Sequence, residues 1–211
     1  MSIAEKLTTV AENLPKVYEA GKKSEYDRFW DTLQQNGNLR FYNYLFAYGR
    51  YSDEIYNPKY PIILTNAVGV YINCNTINDT KVPINAEGSY LNQTFSGALI
   101  KVIRELIVNE NTTYNITFAN CTELQELNIT GIIGKNGFNV QYSTKLSKDS
   151  ITSIINALSD TTTGLAVTLS KTAVSNAFEE VEIVDNAVTY PEGSEYDILR
   201  RSKDNWTISY V

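Results

Sequence analysis

The sequence predicts an α+β chain: a short solenoid, with a helical segment before it and a helix/strand cap after it. Two observations carry the solenoid. An aromatic residue stands three places before a small one at Tyr71/Cys74, Phe95/Ala98 and Phe118/Cys121, and the small residues lie 24 and then 23 apart. An apolar-x-apolar triplet follows each pair, at Val82/Ile84, Leu106/Val108 and Leu127/Ile129. A third observation sets the flanks: residues 1–37 are helical in period, and the stretch after residue 148 mixes a helical period with strand alternation.

Residues 1–37 form the N-terminal helical segment. Ile3, Leu7, Val10, Leu14 and Val17 are spaced 4, 3, 4 and 3, a heptad seam. Ser2 followed by Glu5 has the capping-box pattern. Pro15 lacks an amide donor and disfavours helix just before it, so the sequence predicts one helix to about residue 13 and a second from Pro15. The second carries Tyr18, Tyr26, Phe29, Trp30 and Leu33 and is expected to end on the Asn36-Gly37 pair. The seam serves one of two ends. It joins copies of the chain into a homo-oligomer, most plausibly a dimer or trimer, or it folds against Phe29, Trp30 and the aromatics that follow.

Residues 38–70 are an aromatic-rich N-terminal cap holding Phe41, Tyr42, Tyr44, Phe46, Tyr48, Tyr51, Tyr56 and Tyr60. Tyrosine presents an apolar face and a polar tip, which suits a surface that stacks on sugars or peptides. Tyr42, Tyr44, Tyr48 and Tyr51 are the candidate binding residues. The plainer reading of the same residues is a lid over the open end of the solenoid.

Residues 71–211 hold the solenoid and its C-terminal cap. A unit of 21–24 residues with one short strand cannot bury its apolar face alone, so stacked copies must share a core. Cys74, Ala98 and Cys121 are the structural core positions of the repeat. Two rungs at roughly 4.8 Å each separate Cys74 from Cys121, so they are expected as free, buried thiols and not as a disulfide. Ile151, Ile154, Ile155 and Leu158 share a helix face, Leu165, Val167 and Leu169 alternate as a strand, and Trp206, Ile208 and Tyr210 alternate again.

The aromatic-x-x-Cys-x-x-Leu pattern, with a short strand every 22–24 residues, resembles the BspA-like leucine-rich repeat proteins of gut bacteria and their phages. The stretch LSKDSITSIINALSDTTTGLAVTLSKTAVSNAF and the closing NWTISYV resemble the endings of such chains, and AENLPKVYEAGKKSEYDRFW resembles the leader of small phage- or prophage-encoded members. Leucines are few at the repeat positions, and the segment between Val181 and Glu195 has no repeat register. The resemblance implies a short leucine-rich-repeat-like solenoid. It also implies a non-enzymatic binding or adhesion role on a phage virion, tail-associated, or on a bacterial surface, with a glycan or protein as ligand. The alternative is a cytosolic protein–protein interaction module, such as a phage-encoded inhibitor of a host factor.

Composition narrows the chemistry. With no histidine there is no Ser-His-Asp or Cys-His pair and no HExxH zinc helix. GIIGKNG, with Gly131, Gly134 and Gly137, fits no phosphate-loop pattern, and these glycines read as turn residues. The carboxylate pairs Asp53/Glu54, Glu123/Glu126 and Glu179/Glu180 sit in no motif, so no enzyme, metal or cofactor is expected. A net charge of -6 offers no basic stripe for nucleic acid. No segment approaches the roughly 18 apolar residues of a membrane span, and the N-terminus has no signal-peptide core, so a virion-associated or cytoplasmic protein is expected. Asn78, Asn92, Asn111, Asn115, Asn120, Asn128 and Asn205 precede x-Ser/Thr and are read as turn and ladder residues.

Overall fold

The computed structural model describes residues 3–49 and 52–211, without the side chains of 3–8, 17–20, 22–26 and 35. Tyr51 and the side chains of the Ser2/Glu5 pair lie outside the described residues. The first element, α1 (Ile3–Leu33), is one helix with Pro15 inside it. The expected break at Pro15 does not occur. Thr9 to Lys16 are all exposed, so the Ala11 carbonyl that proline leaves unbonded is solvated instead of buried. Asn36 and Gly37 also differ from expectation: with φ of 51° and 77° they make the two-residue turn between β1 (Gln34–Gln35) and β2 (Asn38–Phe41). Two positive φ values match the twist of an antiparallel hairpin, which is why Asn-Gly serves there.

The strands β3 (Ile62–Leu64), β4 (Ile84–Asn85), β5 (Tyr90–Asn92), β6 (Val102–Val108), β7 (Thr113–Asn115) and β8 (Glu126–Gly131) follow. One six-stranded sheet runs β1-β2-β3-β4-β6-β8, parallel from β2 onward, while β5 and β7 pair in a second sheet. Leu39, Ile62, Ile84, Leu106 and Ile129 are successive register partners, so the chain is a β-solenoid of about four turns. The aromatic-rich segment 38–70 therefore supplies two strands of the same sheet as well as covering its end. All three predicted triplets reach this sheet, with a shift: Leu106, not Val108, lies opposite Ile84 and Ile129. The cause is an irregularity in β6 between Ile103 and Leu106, where three steps oppose two in β8.

The core is a column of rings. Phe46, Tyr71, Phe95 and Phe118 stack at centroid distances of 5.4, 5.3 and 5.5 Å with planes within 18°, 8° and 3° of parallel. Rungs repeat at roughly 4.8 Å, so the longer centroid distances mean offset stacking, the arrangement favoured by aromatic quadrupoles. Trp30, at the end of α1, closes the column against Phe41, Phe46 and Tyr56. Inward hydroxyls satisfy carbonyls one rung back: Thr117 donates to Leu91 at 2.6 Å, Thr112 to Ala86 at 3.0 Å and Ser143 to Cys121 at 3.1 Å. Gly131, Gly134 and Gly137 do more than turn the chain. A Cβ on any of them would stand within 2.8 Å of the preceding rung's backbone.

Cys74, Ala98 and Cys121 are buried, and both cysteines are free. Burial pushes the Cys121 thiol up to about 12, and its Sγ donates to the Phe95 carbonyl at 2.9 Å. Neither thiol should react with iodoacetamide at pH 8 in the folded protein, and two should react after unfolding. Mass spectrometry counts the adducts, and rapid labelling of folded chain would contradict this packing.

The C-terminal cap ends the stacking. Helix α2 (Lys148–Asn156) takes the place of the next strand: Ser150 and Ser153 hydroxyls each accept at 2.8 Å from the Leu127 and Ile129 amides of β8. An open sheet edge is thus covered by a helix. Next come β9 (Leu165–Leu169), α3 (Lys171–Ala177), the hairpin β10 (Glu182–Val184) and β11 (Ala187–Thr189), α4 (Glu195–Arg201) and β12 (Trp206–Tyr210). The alternating segments β9 and β12 pair in parallel, and the segment without repeat register holds the hairpin.

Candidate functional site

Each solenoid turn rounds one corner in the same way. The residues two before and two after the core ring have positive φ: Tyr44 and Tyr48 around Phe46, Gly69 and Asn73 around Tyr71, Gln93 and Gly97 around Phe95, Ile116 and Asn120 around Phe118. Two left-handed residues with three between them fold the chain tightly enough to drive the ring inward. The corner is also laddered. Tyr44, Phe46 and Tyr48 amides donate to the Val68, Val70 and Ile72 carbonyls, and Gly69, Tyr71 and Asn73 amides donate to Asn92, Thr94 and Ser96. Gln93, Phe95 and Gly97 amides donate in turn to Asn115, Thr117 and Ala119.

At Phe118 the ladder stops. Among the described residues, no chain atom accepts from the amides of Ile116, Phe118 or Asn120. The next segment pairs elsewhere, with Val140 donating to Thr168 and Thr168 to Phe138. A groove of about 630 Å³ opens at this break, lined by Tyr114, Ile116, Asn120, Asn136, Gln141 and Tyr142 among others. Its wall contains no charged side chain. The Asn136 and Asn139 side-chain oxygens accept from the Ala166 and Gln141 amides, which leaves their Nδ2 groups without acceptors. Among the described residues, none hydrogen-bonds the side-chain amides of Asn120 and Gln141. Tyr142 is exposed, and Tyr114 is buried edge-on to Phe138 with an unbonded hydroxyl. Burial raises the Tyr114 hydroxyl's pKa, so it stays protonated. The site offers neutral donors and acceptors beside an aromatic surface, and no group poised to move protons.

Ile116 marks the groove wall. A β-branched residue at φ 43° is a backbone outlier, and its repeat equivalents include Gly69. Ile116→Asn should raise stability by roughly 1 kcal/mol and Tm by about 2–4 °C. The side chain is half exposed, so little burial is lost in exchange. Thermal unfolding followed by circular dichroism measures it; an unchanged or lower Tm would show that the backbone is not strained there.

Of the predicted binding residues, Tyr42, Tyr44 and Tyr48 are exposed, and Tyr51 lies outside the described residues. Tyr44 and Tyr48 occupy the corner columns that end in Ile116 and Asn120, three rungs or about 14 Å away. The Tyr44 ring packs against Gly69, its Cε1 2.7 Å from where a Cβ would stand. One face thus carries tyrosines at one end and the amide groove at the other. Between them Asn115 donates to Asn92 at 3.0 Å and to the Tyr90 hydroxyl at 3.1 Å.

Sequence reasoning missed the groove residues: Gly or Asn two places after Tyr71, Phe95 and Phe118 marks the corners, but not where their ladder breaks. One carboxylate of each pair is held by the fold: Asp53 accepts from the Asn78 amide, Glu123 pairs with Lys145, and Glu180 accepts from the Tyr196 amide. No cluster able to hold a metal ion and no helix long and apolar enough to cross a membrane occurs among the described residues. No protein-family model, curated protein or solved structure matches the chain.

Proposed function

We propose that the chain is a non-enzymatic binding module that holds a neutral, hydroxyl-rich ligand, a glycan, along the corner face of its solenoid. The observation that carries this reading is the uncharged groove at the broken ladder, where unbonded amides meet the exposed Tyr142. Sugars present alternating hydroxyls and apolar ring faces, which amide side chains and tyrosines complement. A neutral wall disfavours phosphates and carboxylates, because neither finds a cation there. Tyr44 and Tyr48 extend the surface for a longer ligand. The resemblance to BspA-like leucine-rich repeat proteins supports a setting on a phage virion or a bacterial surface. A protein partner is the second reading, favoured by Ile183 and Val184, which stand exposed on the β10–β11 hairpin.

The test is a screen of neutral and acidic oligosaccharides on an array, followed by titration calorimetry with the best binder. Tyr142→Ala and Gln141→Ala should each weaken binding ten-fold or more with unchanged Tm, and Ile183→Ser should leave it alone. No glycan bound, or binding indifferent to both groove variants, would remove this reading.

A further inference from the structure

Residues 9–16 of α1 carry the middle of an apolar seam, and there the solenoid does not cover the helix. Val10 is 57% exposed and Leu14 65% exposed, and every residue from Thr9 to Lys16 is exposed. The intramolecular alternative, in which this face folds onto Phe29, Trp30 and the aromatics, is therefore not the arrangement of Val10 and Leu14. Trp30 is buried against Phe41, Phe46 and Tyr56 instead.

Because α1 is continuous through Pro15, positions 3, 7, 10, 14 and 17 fall on one face over about 21 Å of helix. The heptad is complete around them. Ile3, Val10 and Val17 take the d position, and Leu7 and Leu14 take a. Ala4 and Ala11 flank the seam at e, while Glu5, Glu12 and Glu19 recur at f on the outer side. Pro15 is at b, off the seam. The pattern ends where Gly21 and Ser24 take the next a and d positions.

We propose that α1 joins further copies of this chain into a coiled coil of more than two helices. A heptad seam is its own best partner, since the same apolar spacing must face it. Leucine at a with β-branched residues at d is the pattern that shifts preference from dimers to trimers and tetramers. The assembly brings several corner faces together on one stalk, but it does not depend on what those faces bind.

Sedimentation equilibrium of the full chain from micromolar to millimolar concentration tests it. The mass should rise with concentration to three or four chains. Val10→Glu combined with Leu14→Glu, both exposed and away from the solenoid core, should hold it at one chain throughout with the solenoid's unfolding midpoint unchanged. Glu12→Gln on the outer face should behave as the parent. A parent mass at or below two chains at the highest concentration overturns the proposal. So does an oligomer that survives the double substitution.

Discussion

Phe95→Ala should cost about 3–5 kcal/mol of stability, among the largest effects of any single substitution in this chain. Phe95 is fully buried between Tyr71 and Phe118, with parallel rings at 5.3 and 5.5 Å on its two sides. The rungs above and below are fixed by corner and strand hydrogen bonds, so they cannot close over the void, and poor collapse is what makes a cavity expensive. The solenoid adds a second consequence. Each rung touches only its neighbours, so a hole at the middle rung weakens the coupling between the Phe46–Tyr71 half and the Phe118–Phe138 half. Urea unfolding followed by far-ultraviolet circular dichroism should show a lower midpoint and a broader transition. A loss under 1 kcal/mol would mean that the ring column is not the core.

How far the sequence could be read follows from the same periodicity. Tyr71, Phe95 and Phe118 stand before small residues at matching places, and the structure stacks them. Phe46 belongs to the same column but is surrounded in sequence by Phe41, Tyr42, Tyr44 and Tyr48, so composition hid its register. Strand order was legible and strand register was not, because the extra residue in β6 leaves the apolar alternation looking intact on both sides. Pro15 and Asn36-Gly37 were misread for a shared reason. Each is ambiguous locally, and solvent around Ala11 and a strand partner for Gln34 decide the outcome. The groove was beyond sequence reasoning in a deeper sense. It is made by three amides that lose their partners when the next segment pairs with Thr168, and an interrupted ladder leaves no residue signature of its own. Ile116 in a place that its equivalents fill with Tyr, Gly and Gln is the nearest thing to one.

Gly131→Ala should destabilise the chain by about 3 kcal/mol or more, as steric overlap and backbone strain add at one position. Gly131 ends β8 opposite Val108 with φ +100°, and an added Cβ would stand 1.9 Å from the Val108 carbonyl oxygen. That oxygen cannot swing aside freely, because it accepts from the Ile132 amide at 3.3 Å. The methyl group must therefore force β8 away from β6. Strain there reaches the cap directly, since Ile133 bridges to Leu158 two residues on and β8 holds α2 through Ser150 and Ser153. Gly88→Ala is the matched control: its φ is +66° and a Cβ would meet nothing within 4 Å, so only the backbone preference of about 1 kcal/mol is lost. Unfolding both variants in urea separates the two contributions. If Gly131→Ala proved no worse than Gly88→Ala, close approach between rungs would not be what demands glycine at 131. The same gap measured at Gly137, whose Cβ would lie 2.5 Å from the Tyr114 carbonyl beside the groove, extends the argument from the cap to the corner face.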